Sequence, residues 1–187
     1  MITGVSSGIG EASAHACLAA GLRVIGTVRR AEDGKALRNA GAQVITLDVT
    51  HDDDLAALPS RLDAALGELG RPRLRGLVNN AGIGVFLPMA HVSPDAMRRV
   101  FETNVVGAIR VTQALLPYLK AETGRVVMVS SVSGRIAGPL AGPYAASKFA
   151  LEASADAMRR EWLGEGVDVL LLQPGPTLTP IVEKTVA

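Results

Sequence analysis

Short apolar runs alternate with longer segments of helical pattern along the whole chain. The runs are rich in Val, Ile and Leu and occupy residues 23–28, 43–47, 76–78, 125–129 and 167–172. Runs that are apolar almost throughout are typical of strands covered on both faces, as in a parallel sheet. The helical segments occupy residues 9–20, 32–40, 52–69, 94–119 and 144–164. This alternation predicts right-handed βαβ units and an α/β fold, a doubly wound parallel sheet in three layers.

Several helix ends carry local signals. Ser93 followed by Pro94 is typical of a cap with proline at the first helical position, and Gly21 and Gly41 are expected to close two helices. In doubly wound sheets, ligands bind beyond the carboxyl ends of the strands. We therefore expect the functional residues in the loops that follow the apolar runs.

The predicted sheet is incomplete at both ends of the chain. Only Met1 and Ile2 precede the first glycine loop, so the first strand is truncated and its neighbours are expected to be poorly paired. The sequence stops at Ala187, soon after the last apolar run, so the last strand of such a sheet is expected to be missing. A length of 187 residues suits one domain, and we expect residues 1–187 to form a single, incomplete one.

Composition narrows the class of protein. Hydrophobic residues make up 48% of the chain and charged residues 20%, which excludes intrinsic disorder. A net charge of +1 and an aromatic content of 3% give no indication of nucleic-acid binding. Cys17 is the single cysteine, and His15, His51 and His91 are too scattered for a metal site. With no run of about 20 apolar residues and no leader pattern, we expect a soluble, cytoplasmic protein without a membrane span.

A glycine-rich loop opens the first helix. It reads Thr3-Gly4-Val5-Ser6-Ser7-Gly8-Ile9-Gly10, so its glycines follow the pattern G-x-x-x-G-x-G. Glycine permits positive φ angles and a close approach of the backbone to a pyrophosphate, and the following helix N-terminus favours an anion. The alternative is an ordinary turn between a strand and a helix.

The loop and six later segments resemble the short-chain dehydrogenase/reductase family, in order and in spacing. The later segments are Asp48-Val49, Asn79-Asn80-Ala81-Gly82, Asn104, Ser131, Tyr144-x-x-x-Lys148 and Pro174-Gly175. The resemblance extends from Met1 to about Lys184. It implies a Rossmann-type domain that binds NAD(P) and an oxidoreductase that acts on CH–OH groups.

The resemblance also implies which residues bind the cofactor. Asp48, with Val49 beside it, would contact the adenine, and the backbone of Asn80, Ala81 and Gly82 would line the adenosine side. Beyond Pro174 and Gly175, the side chains of Thr177 and Thr179 would hold the nicotinamide carboxamide. The alternatives are a helix cap or a solvated carboxylate for Asp48, and a tight turn for residues 79–82.

The end of the second apolar run bears on the choice between NADP and NAD. Val28 occupies the position where relatives that prefer NAD carry an acid, and Arg29 follows it. An arginine can pair with the 2′-phosphate of NADP, so NADP is predicted over NAD. The alternative is that Arg29 and Arg30 are solvated loop charges.

The candidate catalytic residues are Asn104, Ser131, Tyr144 and Lys148. Tyr144 and Lys148 are four residues apart and share one face of a helix. A cation close to the phenol is expected to lower its pKa from about 10, so that Tyr144 acts as acid and base. By the resemblance, Ser131 would bond the reacting oxygen, Lys148 would hold the ribose, and Asn104 would hold a water linked to Lys148. Taken singly, the helical pair and the serine could each be structural.

Substrate and assembly follow less directly. Small apolar residues around Ser131, Val132 and Tyr144 suit a hydrophobic ketone or alcohol. Residues 173–181 resemble the corresponding segment of relatives that act on steroids and retinoids. The alternatives to an enzyme are a regulatory module that binds NADP(H) without catalysis and an inactive truncated fragment.

Residues 94–119 and 144–164 carry more apolar positions than one stripe needs, which predicts a homodimer or homotetramer through these helices. The apolar positions are Val105, Val106, Ala108, Ile109, Val111, Ala150, Leu151, Ala153 and Ala157. High helix propensity of alanine is the alternative explanation.

Overall fold

Five short strands and six helices form the chain in this computed structural model, which describes residues 1–70 and 73–181. The strands are β1 (Ile25–Val28), β2 (Gln43–Thr46), β3 (Gly76–Asn79), β4 (Arg125–Val129) and β5 (Asp168–Leu172). The helices are α1 (Gly8–Ala19), α2 (Lys35–Asn39), α3 (Asp52–Glu68), α4 (Pro94–Phe101), α5 (Ala108–Lys120) and α6 (Gly142–Glu161). Each strand falls at a predicted apolar run, so the predicted strand–helix alternation is confirmed.

All strand pairs are parallel. β1 pairs with β2, while β3, β4 and β5 form a second group in that order. Ile2 joins the two groups through isolated bridges to Gly26 and Val78. The spatial order is therefore β2, β1, Ile2, β3, β4, β5. The chain adds β1 and β2 on one side of Ile2 and then β3, β4 and β5 on the other side. As the sequence predicts, the first strand is very short and is represented by the bridges of Ile2 alone.

The prediction that the neighbours of the truncated strand are poorly paired is wrong. Ile2 donates to the Ile25 carbonyl and accepts from Thr27, at 2.9 and 3.0 Å. On the other side, the Met1 carbonyl accepts from Val78 and Thr3 donates back to Val78, at 2.8 and 2.9 Å. Three residues are enough because each of them bonds one of the two neighbouring strands.

Helices cover both faces of the sheet. Ile25 and Leu77 pack in the larger core with α3, α5 and α6. Val28 and Val78 lie on the opposite face of the sheet, where Val28 packs with α1 and α2 and Val78 lies against the same cluster. Because side chains alternate along a strand, this division gives the three layers that the sequence predicts. No helix in the described part of the chain is long and apolar enough to cross a membrane.

The predicted helix at residues 94–119 is interrupted. It begins as expected, since Ser93 Oγ accepts from the Ala96 amide at 3.1 Å. Between α4 and α5, however, Glu102–Gly107 forms a wider π-helical segment. Gly107 lies so close to Val49 that a Cβ on it would stand 2.7 Å from Val49 Cγ2. The predicted ends at Gly21 and Gly41 are confirmed, with φ of +76° and +98°.

Candidate active site

A cleft of about 1210 Å³ lies at the carboxyl ends of the strands. It brings together residues from eight separate segments of the chain, as expected for a doubly wound sheet. The predicted residues that line it are Gly4, Ser6, Ser7, Gly8, Ile9, Arg29, Asp48, Val49, Asn80, Ala81, Gly82, Ser131, Val132, Tyr144, Lys148, Pro174, Gly175, Thr177 and Thr179. Two further predicted residues, Gly10 and Asn104, are not among the lining residues and lie behind it.

The glycine loop is closely packed against its neighbours. Gly4 and Gly8 have φ of +69° and +62°, a region that favours glycine. A Cβ on Gly4 would stand 2.9 Å from Ala81 Cα, and one on Gly8 would stand 3.2 Å from Thr179 Cβ. The loop therefore lies between the turn after β3 and the segment after β5, with the N-terminus of α1 opening into the cleft.

Thr3 and Asn80 hold the loop in place. The Thr3 hydroxyl accepts from the amides of Asn80 and Ala81, both at 3.0 Å. The Asn80 side chain donates to the carbonyls of Thr3 and Gly4, at 2.9 and 3.0 Å. Gly10 leaves room for this bridge, because a Cβ there would stand 2.3 Å from Asn80 Nδ2. Thr3 is the first residue of the predicted loop, but its bonds to the turn after β3 were not predicted.

The two arginines after β1 differ in their contacts. Arg30 forms ion pairs with Asp33 at 2.7 Å and with Glu32 at 3.5 Å. Arg29 is exposed at the rim of the cleft and has no ion pair or side-chain hydrogen bond within the described residues. Arg29 is therefore the cation that is available to an anionic group in this part of the cleft.

Asp48 combines a structural bond with a place in the cleft wall. Its Oδ1 accepts from the Thr50 amide at 2.9 Å and from the Thr50 hydroxyl at 2.7 Å, which fixes the turn before α3. The Asp48 amide in turn donates to Asp54 Oδ2 at 2.8 Å. The turn presents Asp48 and Val49 to the cleft.

Tyr144, Lys148 and Ser131 meet at the end of the cleft beside β4. Tyr144 and Ser131 both line the cleft here, and the Ser131 hydroxyl, which accepts from the Ser133 amide at 3.1 Å, is close enough to the phenol to affect its pKa. Lys148 is 4% exposed, and its Nζ donates to the Val129 carbonyl at 2.8 Å and lies 5.6 Å from the centre of the Tyr144 ring. The helical spacing and the end of β4 thus place the three side chains together.

Burial dominates the proton affinities of this group. It raises the pKa of the Tyr144 phenol above 10, and the Ser131 hydroxyl beside the phenol opposes that rise. Burial also lowers the pKa of Lys148 from 10.5 to about 8. The predicted net lowering of the phenol's pKa is wrong for this structure, because loss of solvation raises the pKa by more than the Ser131 hydroxyl lowers it. At neutral pH the phenol holds its proton and the lysine its charge.

Asn104 has structural bonds only in the described residues. Its Nδ2 donates to the Ile83 carbonyl and to Ser147 Oγ, at 2.9 and 3.0 Å, and its Oδ1 accepts from the Ile83 amide at 2.8 Å. These bonds connect the wide turn between α4 and α5 to the segment after β3 and to α6. The predicted link between Asn104 and Lys148 through a water stays a prediction.

Apolar side chains surround the end of the cleft near Tyr144. Val132 lines the cleft and is 44% exposed, and the Phe86 ring centre lies 5.5 Å from that of Tyr144. Among the residues that the structure describes, no group of three His, Cys, Asp or Glu side chains could hold a metal ion.

The cleft fits a nicotinamide dinucleotide in its shape and its charges. Gly4 and Gly8 leave the loop without side chains where a pyrophosphate would approach, and α1 directs its N-terminus there. The unpaired Arg29 lies towards one end of the cleft, and Tyr144 and Lys148 lie at the other. This separation suits the adenosine and nicotinamide halves of one ligand.

Comparison with known proteins identifies the family. Residues 1–187 match the family model described as short chain dehydrogenase. The chain is 39% identical over 189 residues to an NADPH-dependent 3-dehydrocapnine reductase of Ornithobacterium rhinotracheale, which covers 98% of this chain and 67% of that protein. It is 38% identical to retinol dehydrogenase 5 of Mus musculus, over 96% of this chain and 57% of that protein.

A solved structure gives the same result. A short-chain dehydrogenase from Streptomyces avermitilis superposes with a TM-score of 0.85 at 36% sequence identity, over 94% of this chain and 64% of that one. The chain therefore belongs to the short-chain dehydrogenase family, whose members are NAD(P)-dependent oxidoreductases acting on CH–OH groups. It spans about two thirds or less of the length of these relatives.

Proposed function

We propose that this protein uses NADP(H) to interconvert a hydrophobic ketone and its secondary alcohol, with Tyr144 as the acid and base. The observation that carries the proposal is that Tyr144, Ser131 and the buried Lys148 meet in one cleft, which the glycine loop also lines. Residues 1–187 act in this proposal as a single NAD(P)-binding domain.

NADP is favoured over NAD by the free guanidinium of Arg29. A 2′-phosphate accepts charge-assisted hydrogen bonds from an arginine. Arg29 forms no ion pair with an acidic side chain among the described residues. The relative from Ornithobacterium is named as NADPH-dependent, which agrees with this choice. The glycine loop would hold the pyrophosphate, Asp48 and residues 80–82 the adenosine, and Thr177 and Thr179 the carboxamide.

The side chains near β4 account for the movement of the proton. In reduction, the Tyr144 hydroxyl gives its proton to the carbonyl oxygen of the substrate, and in oxidation the phenolate takes that proton back. The raised pKa of Tyr144 keeps this proton in place at neutral pH until the substrate oxygen becomes basic. Ser131 donates a hydrogen bond to the same oxygen, and the Lys148 charge stabilises the phenolate that remains. The bound dinucleotide supplies or accepts the hydride at the substrate carbon.

The substrate is proposed to be hydrophobic because Phe86 and Val132 surround Tyr144. An apolar wall with few polar groups suits an aliphatic or ring ketone better than a charged metabolite. The name of the murine relative, a retinol dehydrogenase, agrees with a hydrophobic alcohol.

The test is a panel of hydrophobic ketones and alcohols with NADPH and NADH, followed by the absorbance of the reduced cofactor. We expect Tyr144→Phe to lower kcat at least about 100-fold, because it removes the proton that acid catalysis moves. The dissociation constant of NADPH should change less than threefold. Tyr118→Phe is the matched control, since the Tyr118 hydroxyl bonds Asp63 at 2.9 Å on the surface of the protein.

Three results would contradict the proposal. Full turnover in Tyr144→Phe would exclude the tyrosine as acid and base. A wild-type protein that binds NADPH but turns over none of the panel would favour the regulatory module. A chain that neither melts cooperatively nor gains stability from NADPH would favour the inactive fragment.

A further inference from the structure

Glu152 is a buried carboxylate to which the proposed mechanism assigns no task. It is 5% exposed and lies on α6 one turn beyond Lys148, so Tyr144, Lys148 and Glu152 follow one another along the same face of the helix. A buried carboxylate is costly unless its charge and its lone pairs are satisfied. Its partners therefore indicate what it does for the fold.

One carboxylate oxygen bonds the ends of two strands. Glu152 Oε1 accepts from Ser130 Oγ at 2.8 Å and from Gln173 Nε2 at 2.7 Å. Ser130 directly precedes Ser131 and follows β4, and Gln173 directly precedes Pro174 and follows β5. The same oxygen thus holds both segments at the point where each enters the cleft.

The surroundings of Glu152 are built for this contact. Its other oxygen lies 2.7 Å from Arg135 Nε in an ion pair whose geometry is not that of a well-aligned hydrogen bond, and Arg135 is 63% exposed. A Cβ on Gly134 would stand 2.5 Å from Glu152 Oε1 and 2.6 Å from Ser130 Oγ. Arg135 compensates the charge, and only a glycine at 134 leaves room for the bonded pair.

The backbone repeats the connection on the cleft side. The Ser130 amide donates to the Leu172 carbonyl at 2.8 Å, and the Val132 amide donates to the Pro174 carbonyl at 3.0 Å. Ser131 lies between these two bonds, and its hydroxyl reaches Tyr144. A shift of residues 130–132 relative to residues 172–174 would therefore move the Ser131 hydroxyl away from Tyr144.

We propose that Glu152 is a positioning residue that sets the place of Ser131, by bonding Ser130 and Gln173 through a single carboxylate oxygen. It touches neither substrate nor cofactor. The role for Ser131 rests on the proposed function, whereas the connection between the two strand ends does not. An oxygen at this position is required, and a negative charge is not.

The experiment compares Glu152→Leu, which removes both oxygens, with Glu152→Gln, which keeps one acceptor for Ser130 and Gln173. We expect Glu152→Leu to lower kcat for ketone reduction at least about tenfold, because small displacements of a positioned group are costly to rate. The dissociation constant of NADPH should change less than threefold. Glu152→Gln should retain kcat within threefold of the wild type. Glu161→Leu, an exposed position on the same helix, is the matched control and should leave kcat unchanged.

A double variant separates positioning from a general loss of structure. In a Ser131→Ala background, Glu152→Leu should lower kcat less than twofold, because its effect passes through the missing hydroxyl. Losses that multiply would overturn the proposal, and so would an equal loss in Glu152→Gln and Glu152→Leu. If Glu152→Leu does not fold, Ser130→Ala takes its place in the same comparison, since it deletes one of the two donors.

Amide hydrogen exchange tests the connection without turnover. The amides of Ser130 and Val132 should exchange at least about tenfold faster in Glu152→Leu than in Glu161→Leu, because local opening becomes easier. Equal rates would overturn the role of Glu152 even in an active enzyme. If the two variants differ in this way but the wild-type protein reduces no ketone, only the proposed function is contradicted.

Discussion

The charge of Lys148 is almost completely buried, since the residue is only 4% exposed. Its Nζ has one bond in the described residues, to the Val129 carbonyl, and burial lowers its pKa to about 8. In the unfolded chain the pKa returns to about 10.5. Between these values the unfolded state binds more protons than the folded state, so this group makes stability rise with pH.

The prediction concerns the cofactor-free protein, compared with Lys148→Met. The free energy of unfolding of the wild type, minus that of the variant, should increase by about 2 kcal/mol between pH 7 and pH 10. Urea unfolding at the two pH values measures it. Tyr144 titrates in both proteins and cancels to first order in the difference. Parallel pH dependences would contradict the burial of the charge.

Arg29 offers a second residue-scale test. We expect Arg29→Ala to raise the KM for NADPH by about 10- to 100-fold, the loss of a charge-assisted hydrogen bond, and to leave the KM for NADH within threefold. Steady-state kinetics with both cofactors measure this. Arg160→Ala, on an exposed arginine at the end of α6, is the control and should change neither constant. Equal losses with both cofactors would show that Arg29 does not distinguish them.

Residues of the site differ in how far sequence alone could predict them. Tyr144 and Lys148 are one helical turn apart, so their pairing is a local property of the sequence. Thr3 bonds the amide of Asn80, 77 residues away, and Ser130 bonds Glu152, 22 residues away. No local pattern announces such partners, because the fold brings them together. The predicted direction of the pKa shift of Tyr144 was wrong for the same reason, because burial is a property of the whole fold.

At the scale of elements, apolar runs located every strand because burial on both faces leaves a continuous pattern. The interruption at Glu102–Gly107 was not predicted. Within it, Asn104 bonds Ile83 and Gly107 lies close to Val49, both distant along the chain. Wide turns of this kind are frequent near functional sites. Periodicity therefore predicted the strands and helices, but it did not predict the π-helical segment between α4 and α5, whose residues contact distant parts of the chain.

The start of α1 can be tested by a single methyl group. Gly10→Ala would place a Cβ 2.3 Å from Asn80 Nδ2 and 2.4 Å from the Gly4 carbonyl. We expect the variant to lose about 1–3 kcal/mol of stability through overpacking. NADPH affinity should fall at least tenfold, because the bridge from Asn80 holds the loop.

Gly67→Ala in α3 is the matched control. That glycine is also helical, but nothing lies within 4 Å of the added Cβ. It should gain up to about 1 kcal/mol, because alanine is the better helix former. Thermal unfolding and cofactor titration of both variants distinguish the contact from the substitution. Unchanged NADPH affinity in Gly10→Ala would show that the loop tolerates displacement.

At the scale of the whole molecule, the π-helical segment before α5 and the outer face of α6 leave apolar side chains in solvent. Val105, Ala108, Val111 and Leu151 are buried within the chain, so part of the predicted apolar surplus belongs to its own core. Beyond that core, Val106 and Phe149 remain 37% and 45% exposed. The helix propensity of alanine does not account for an exposed phenylalanine, whereas a contact between copies of the chain would.

The last prediction is therefore a homodimer that buries Phe149. Light scattering at micromolar concentration should give twice the mass of the chain, and Phe149→Glu should give the monomer, because an interface would have to bury an unpaired charge. Leu22→Glu is the control, since Leu22 is 59% exposed just after α1, in the layer on the opposite face of the sheet. It should leave the dimer intact. A wild-type protein that has the mass of one chain, both with and without NADPH, would exclude the dimer.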